Sequence, residues 1–148
     1  MAAKWLTPDD ANWDLERSVF NLVIDQQPAG IALPQSADDV TEVVRSAAAD
    51  GKRVAAQRTG HLAAPLSSLT GTVLLHTAGL GGVQIDAHAG TARIGAGALW
   101  GDLVPEASEL GFGSLHGSAE NVGITGYTLG GGVSFYARKH GLACNRVT

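Results

Sequence analysis

The residues best suited to bind a ligand lie in a glycine-rich stretch at residues 121–132, which reads N-V-G-I-T-G-Y-T-L-G-G-G. Five of these twelve positions are glycine, and backbone without Cβ atoms can approach a bound group closely. Residues 133–141 continue with apolar, aromatic and basic side chains and close on Gly141, a pattern typical of a short helix. A glycine-rich turn before a helix suits a phosphate-bearing ligand. A tight turn without a ligand is the alternative.

A second candidate site is the loop at residues 57–63, which follows a predicted strand at residues 53–56. Ligands of α/β units commonly bind where strands end. His61 follows Thr59 and Gly60, so its imidazole is a candidate ligand contact, and a solvated loop histidine is the simpler alternative. Arg58 either faces an anionic group or points to solvent.

The elements that must position these loops are predicted from hydrophobic periodicity. An apolar run at residues 29–33 predicts a first strand. Ser36 supplies a helix cap, and the following helix ends at Gly51 with an inward face of Val40, Val43, Val44 and Ala47. With the strand at residues 53–56, this predicts a βαβ unit of parallel strands joined by a right-handed crossover.

The remaining segments predict further elements on either side of that unit. A helix is expected at residues 8–22, a strand at 72–77, and a hairpin from strands at 83–86 and 91–94. Residues 98–110 predict a helix whose true start is nearer Asp102, with Pro105 close to that start and an inward face that includes Leu110. The last residues, from Cys144, predict the beginning of a strand without a partner, so we expect a truncated chain.

Composition excludes several classes of function. The chain has 148 residues and a net charge of −4, without a basic block, so no nucleic-acid or membrane partner is expected. Residues 1–5 lead into polar residues rather than an export signal, which predicts a cytoplasmic protein. The one cysteine, Cys144, excludes an internal disulfide, and it is expected to be buried. The histidines lack pairs at helical spacing, so no metal site is expected; they are His61, His76, His88, His116 and His140.

Two other patterns do not indicate a ligand site or a catalytic site. Residues 95–101 read G-x-G-x-x-x-G, one residue longer than the dinucleotide-binding spacing, so structural glycines at a strand-to-helix turn explain them better. No serine has the G-x-S-x-G setting of a hydrolase. His76 on a strand predicts core packing, and His116, beside the glycine-rich stretch, is a weak candidate for a pocket wall.

Five segments of the chain, taken together, resemble a known family. These segments, at residues 31–40, 57–61, 91–102, 117–132 and 137–143, resemble in order and spacing the PCMH-type FAD-binding domain of the vanillyl-alcohol oxidase and berberine-bridge-enzyme-like oxidoreductases. The resemblance implies an α+β fold of two α/β subdomains. A helical lead-in at residues 1–28 would precede subdomain 1 at about 29–80 and the start of subdomain 2 at about 81–148, without a substrate domain.

The same resemblance implies that FAD is the cofactor and that its pyrophosphate is held between the two loops by backbone N–H groups. His61 matches the position at which many members attach the flavin 8α carbon covalently, with the imidazole as nucleophile. No catalytic residue is assigned. The residues implied to bind the cofactor are Gln57, Arg58, Thr59, Gly60, His61, Leu62, Ala63, Gly117, Ser118, Asn121, Val122, Gly123, Thr125, Gly126, Tyr127 and Gly130.

Some positions depart from the family pattern. Ala119 stands where some members carry a second, cysteinyl attachment, so a double linkage is excluded. Tyr127 stands where a histidine is frequent in the family. Whether Tyr127 makes the hydrogen bond to the cofactor that this histidine would make stays open. Val122 is implied to lie near the flavin ring, where its bulk would tune oxygen access. The first loop has less glycine than is usual, because residues 57–59 precede Gly60.

The function implied is oxidation of an alcohol, sugar or secondary metabolite by hydride transfer to FAD, with oxygen as acceptor. On this interpretation the chain is the FAD-binding portion of the enzyme and is inactive alone. Two alternatives stay open. The chain is a non-catalytic domain that binds no flavin and self-associates as a homo-oligomer through exposed strand edges, or it is a flavoprotein of related fold without oxidase chemistry, such as a reductase.

Overall fold

The chain folds into two compact units in a computed structural model, which describes residues 3–66 and 68–148. Unit 1 comprises Met1–Leu80 and unit 2 comprises Gly81–Thr148. Helices and strands occur in both units, so the α+β fold class is confirmed. Within the described residues, no helix combines the length and apolar character that crossing a bilayer requires.

A four-stranded sheet organises unit 1. Its strands are β1 (Lys4–Leu6), β2 (Gly30–Leu33), β3 (Arg53–Gln57) and β4 (Thr72–His76), in the order β1-β2-β4-β3. Strands β2 and β3 are each parallel to β4, and β1 is antiparallel to β2. The predicted βαβ unit is therefore present as parallel strands, but β4 lies between its two strands. Strand β1 was not predicted.

Helices cover both faces of this sheet. Helix α1 (Trp13–Arg17) places the buried Trp13 against one face, and helix α2 (Ala37–Ala49) packs Val43 and Ala47 against the other. The predicted cap is confirmed, since the Ser36 side chain accepts a hydrogen bond from Asp39 N. Val44, predicted to face inward, is 46% exposed, because the inward face of α2 is narrower than the apolar pattern.

The long helix predicted at residues 8–22 is wrong. Only the five residues of α1 are helical, and Ser18 is already extended, with ψ 144°. Residues 18–29 then run as irregular chain, held by long-range contacts that a periodicity argument does not detect. The Arg17 guanidinium donates to Gln26 O at 2.9 Å and also pairs with Asp25. These contacts fold the segment back on itself and end the helix early.

Unit 2 begins with the predicted hairpin of β5 (Val83–Asp86) and β6 (Thr91–Ile94). Helix α3 (Trp100–Glu109) packs Trp100, Leu103 and Ala107 into its core. The expected start near Asp102 is wrong. The helix begins at Trp100, and the Asp102 carboxylate accepts from Leu99 N at 2.8 Å, so Pro105 lies inside the helix. Leu110, predicted to face inward, is exposed.

The glycine-rich stretch contains a helix that was not predicted. Helix α4 (Ile124–Leu129) occupies its middle, and the helix expected after it, α5 (Ala137–His140), is only four residues long. The strand expected at the end of the chain is also wrong, because Ala143–Arg146 forms a 3₁₀ turn. Cys144, predicted to be buried, is half-buried and forms no disulfide with any described residue.

Candidate functional site

The loop at residues 57–63 starts from a buried pair of amide side chains. Gln57 ends strand β3, and its side chain exchanges two hydrogen bonds with Gln26, each of 3.1 Å. Both residues are buried, so each amide satisfies the other where water is excluded. The Gln57 side chain is therefore committed to Gln26, and its backbone carbonyl accepts a hydrogen bond from the Thr77 hydroxyl at 3.4 Å.

The next loop residue is held through its backbone. The Arg58 carbonyl accepts a hydrogen bond from Nε2 of His76, at 2.8 Å. Nδ1 of the same ring lies 3.0 Å from a carboxylate oxygen of Glu16, off the line of a good hydrogen bond. His76, predicted to be a packing residue, is thus a link between helix α1 and this loop.

Thr59 and Gly60 make close contacts with the segment that follows α1. The Thr59 carbonyl accepts from Phe20 N at 3.0 Å. Gly60 has φ +66°, and a Cβ built there would lie 2.6 Å from both Cβ and Cγ1 of Val19. Glycine is required here by backbone geometry and by the neighbouring chain. The buried side chain of Val19 fills the space that a side chain at residue 60 would need.

His61 lies against an aromatic ring. Its imidazole stacks on Phe20, with ring centroids 3.9 Å apart and planes inclined by 19°. Nε2 of His61 is buried and has no hydrogen-bond partner among the described residues, which is unfavourable unless a further group satisfies it. The two residues that follow differ, because Leu62 is exposed and Ala63 is buried.

The sequence did not predict that residues 16–26 contact this loop. Phe20, Val19 and Gln26 contact residues 57–61 from a segment about forty positions earlier in the chain, which was expected to be a plain helical lead-in. Glu16 reaches the loop through His76. No sequence motif marks these residues, so the sequence carries no clear signal for their contacts with the loop. The run of apolar residues outside a clear helical period was the one available hint.

In unit 2, part of the candidate stretch pairs through its backbone with the residues at the start of helix α3. Leu99 and Gly123 form an antiparallel bridge, and Trp100 N donates to Val122 O at 3.0 Å. Val122 packs against the apolar core of the unit. Thr125 is half-buried, and its hydroxyl lies 3.5 Å from Gly95 O. The exposed members of the predicted set are Ser118, Asn121, Gly126 and Gly130, and Gly117 is half-buried.

Three buried polar atoms of unit 2 have no hydrogen-bond partner in the part of the chain that the structure describes. They are Nε1 of Trp100, Oγ of Ser114 and Oη of Tyr127. The rings of Trp100 and Tyr127 meet edge to face at 5.4 Å. Burial raises the pKa of the Tyr127 phenol above its ordinary value, so the phenol stays protonated and is a hydrogen-bond donor. Trp100 and Ser114 were not predicted as site residues.

One glycine after α4, Gly132, is explained by contacts within the chain. Gly132 has φ +69°, and a Cβ there would lie 2.6 Å from Cβ of Ala143 and 2.8 Å from Cε1 of Tyr127. Ala143 N also donates to Gly132 O at 2.9 Å. Close packing against this part of the stretch therefore comes from Ala143 and Tyr127. His116 bonds to the Gly117 carbonyl at 2.6 Å.

One cavity of unit 1 lies away from the candidate loop. A groove of about 400 Å³ is bordered by the first residues of β2 and β4 and by the end of α2, including Gly30, Val73 and Asp50. Because these strands are parallel to β3, that groove lies at the opposite edge of the sheet from residues 57–63. Among the residues that the structure describes, there is no group of three or more side chains suited to a metal ion.

Comparison with known proteins places the chain in one family. The family model described as FAD binding domain matches residues 28–148. The (R)-6-hydroxynicotine oxidase of Paenarthrobacter nicotinovorans is 34% identical over 140 residues, which cover 95% of this chain and 31% of that protein. An FAD-dependent monooxygenase of Fusarium proliferatum is 39% identical over 122 residues, covering 82% of this chain and 24% of that protein.

Solved structures show the same relationship. The 6-hydroxy-D-nicotine oxidase of Arthrobacter nicotinovorans superposes with a TM-score of 0.88 at 33% identity, covering 95% of this chain and 31% of that one. Glucooligosaccharide oxidase of Acremonium strictum, whose cofactor is a 6-S-cysteinyl, 8α-N1-histidyl FAD, gives 0.86 at 30% identity, covering 97% and 30%.

These matches concern one part of longer proteins. The chain spans between 24% and 31% of the length of the two curated relatives named above. The PCMH-type fold expected from the sequence is confirmed by the superpositions. This chain belongs to the FAD binding domain family and corresponds to the N-terminal FAD-binding part of the vanillyl-alcohol oxidase and berberine-bridge-enzyme-like FAD-linked oxidoreductases.

Proposed function

We propose that this chain binds FAD as part of an oxidoreductase that oxidises an alcohol, sugar or secondary metabolite, with oxygen as the electron acceptor. The observation that carries the proposal is the family match over residues 28–148, a range that includes every predicted cofactor residue. Relatives named as hydroxynicotine and glucooligosaccharide oxidases support the reaction class. Because the chain spans 31% or less of the relatives named above, we expect it to bind cofactor without completing turnover.

The cofactor contacts are proposed separately for each unit. In unit 1, backbone groups of residues 57–63 bind FAD, and the buried unpaired Nε2 of His61 supports a polar contact there. In unit 2, residues 117–130 bind FAD, and the phenol of Tyr127 donates to the cofactor in place of the histidine that is frequent in the family. The buried, unpaired Oη of Tyr127 supports this assignment.

We also propose that His61 is attached covalently to the flavin. The imidazole would lose its N–H proton as the 8α carbon of the flavin loses a proton, and a carbon–nitrogen bond would form between them. The two electrons left on the flavin would pass to molecular oxygen, which takes up both protons as hydrogen peroxide. In the oxidation of substrate, bound FAD would act as the two-electron acceptor that receives hydride. Ala119 offers no sulfur for a second bond.

Acid precipitation tests both parts of this proposal. The chain is incubated with FAD in air and precipitated with acid, and we expect a fluorescent flavin in the pellet. His61→Ala should release the flavin to the supernatant, while His88→Ala, an exposed histidine in the hairpin turn, should behave as wild type. Flavin in the wild-type supernatant would remove the covalent bond, and an absence of any FAD binding by titration would contradict the proposed function.

A second candidate function has an observation of its own in its favour. Unit 2 exposes Leu129, Val133 and Phe135 at 70%, 73% and 78%, and β1 and β3 are the outer strands of the sheet in unit 1. Exposed apolar surface and open strand edges favour self-association. A colourless oligomer in solution, with no affinity for FAD, would support a self-associating domain over the flavin-binding one.

The choice of oxygen as acceptor needs a separate measurement. Flavin bound to the chain is reduced by light under nitrogen and then exposed to air. Rapid return of the oxidised absorbance supports an oxidase. Slow return of the oxidised absorbance would mean that the protein shields the flavin from oxygen, and it favours the reductase alternative.

A further inference from the structure

Phe20 contacts the candidate attachment loop in two ways. Its backbone N–H donates to the carbonyl of Thr59 at 3.0 Å. Its ring lies nearly parallel to the imidazole of His61, with centroids 3.9 Å apart. The backbone bond and the ring contact join the same two short segments, so movement of the loop relative to Phe20 would break both.

The neighbouring residues limit sliding of the loop. Val19 is buried and fills the space beside Gly60, where a Cβ would be only 2.6 Å from its side chain. On the other side of His61, Ala63 is buried and donates to Gly60 O at 3.1 Å. The backbone at residue 61 is therefore held, and the main freedom left to His61 is rotation of its ring.

Stacking removes much of that remaining freedom. A histidine ring on an unrestrained loop turns about its terminal torsion through a broad range. A phenyl ring covering one face favours the parallel orientation, by an amount typical of aromatic pairs. The ring nitrogens then lie at the edge of the stack, in the plane parallel to Phe20, and a partner must approach His61 along that edge.

We propose that Phe20 is a positioning residue, which holds the imidazole of His61 in the orientation required for its bond to the flavin. This rests on the proposed function, because it assumes that His61 is the attachment point. Phe20 is 60% exposed, so it contributes little to the core. Its contact with His61 is the interaction that its removal would chiefly affect.

The stack is tested first without flavin. In proton NMR spectra of the 148-residue chain, a phenyl ring over His61 shifts the carbon-bound protons of the imidazole upfield. Phe20→Leu should remove that shift, and Phe20→Tyr should keep it. An unchanged His61 spectrum in Phe20→Leu would overturn the proposal, and this result does not depend on whether the chain binds FAD.

The effect on attachment is tested next, by the rate at which acid-stable flavin accumulates. Phe20→Leu should slow this rate about 2- to 12-fold, the population factor that corresponds to the usual strength of an aromatic pair. The conservative variant Phe20→Tyr should retain the wild-type rate of attachment. Phe135→Leu, the same change at an exposed phenylalanine of unit 2, is the matched control and should leave the rate unchanged.

A His61→Ala background separates positioning from a general effect on the loop. In that background FAD binds without a covalent bond, and adding Phe20→Leu should change its dissociation constant less than twofold. A larger loss there would show that Phe20 supports the loop itself and would overturn the positioning role. If the wild type binds no FAD, the proposed function fails, and the NMR comparison alone decides whether Phe20 orients His61.

Discussion

Replacing Gly60 with alanine tests how closely residues 16–26 hold the candidate loop. Gly60 has φ +66°, a conformation that costs an L-residue roughly 1–2 kcal/mol. The new Cβ would lie 2.6 Å from two side-chain atoms of Val19 and 3.2 Å from its Cα. Forcing an extra methyl group into such a space typically costs about 1–3 kcal/mol. We therefore expect Gly60→Ala to destabilise unit 1 by about 2–5 kcal/mol.

Gly51 provides a matched control in the same unit. Its φ is +65°, almost identical, but a Cβ there meets no atom within 4 Å. Gly51→Ala should therefore cost only the conformational part, roughly 1–2 kcal/mol. The difference between the two variants, about 1–3 kcal/mol, measures the contact between Gly60 and Val19 alone.

Native-state hydrogen exchange of the Leu74 amide is a suitable assay, because Leu74 is fully buried in strand β4 of unit 1. Its exchange under native conditions reports the free energy of opening that unit. Val19→Gly removes both atoms that the new Cβ meets, so adding it to Gly60→Ala should recover part of the loss. Equal losses in Gly51→Ala and Gly60→Ala, or no recovery in the double variant, would refute the proposed packing.

Two further predictions concern the polar contacts of the candidate site. His76→Leu removes the donor to the Arg58 carbonyl, so amide exchange at residues 58–62 should rise about tenfold. Leu62→Ala, a change at an exposed side chain of the same loop, should leave exchange at residues 58–61 unchanged. Because burial raises the pKa of Tyr127, this phenol should ionise above the ordinary tyrosine pKa in an alkaline absorbance titration. The contribution of the protonated Tyr127 phenol to stability is fully present below the ordinary tyrosine pKa and is lost as pH rises through the folded-state pKa. Tyr127→Phe should abolish the late ionisation. A late ionisation that persists in this variant would contradict the assignment.

The sequence predicted elements whose signals are local. Helix α2 has a capping serine and a periodic apolar face, and the β5–β6 hairpin has alternating strands around a short turn. Each of these can be identified from a dozen consecutive residues. Helix α4 was missed because glycine lowers helix propensity, and its packing beside the chain around Leu99 compensates for that cost.

Pairing order and long-range contacts could not be predicted in the same way. Strand β4 lies between β2 and β3. A short apolar run predicts a strand, but it does not show which other strands that strand will pair with. The two candidate loops were identified because each carries a distinctive local pattern. The partners of the first loop, Phe20 and His76, are ordinary residues distant in sequence, and their roles depend on contacts that form only in the folded chain.

The close packing at Gly60 and Gly132 changes how the glycines of these loops should be interpreted. At both positions the space beside the backbone is occupied by other residues of this chain, Val19 in one case and Ala143 with Tyr127 in the other. A glycine pattern in a candidate cofactor loop therefore also reflects how the loop packs against its own unit. Substitutions at Gly60 should then lower stability whether or not flavin is present, whereas a change at His61 should alter flavin retention more than stability. The two kinds of residue are separable by measuring stability and cofactor content on the same variants.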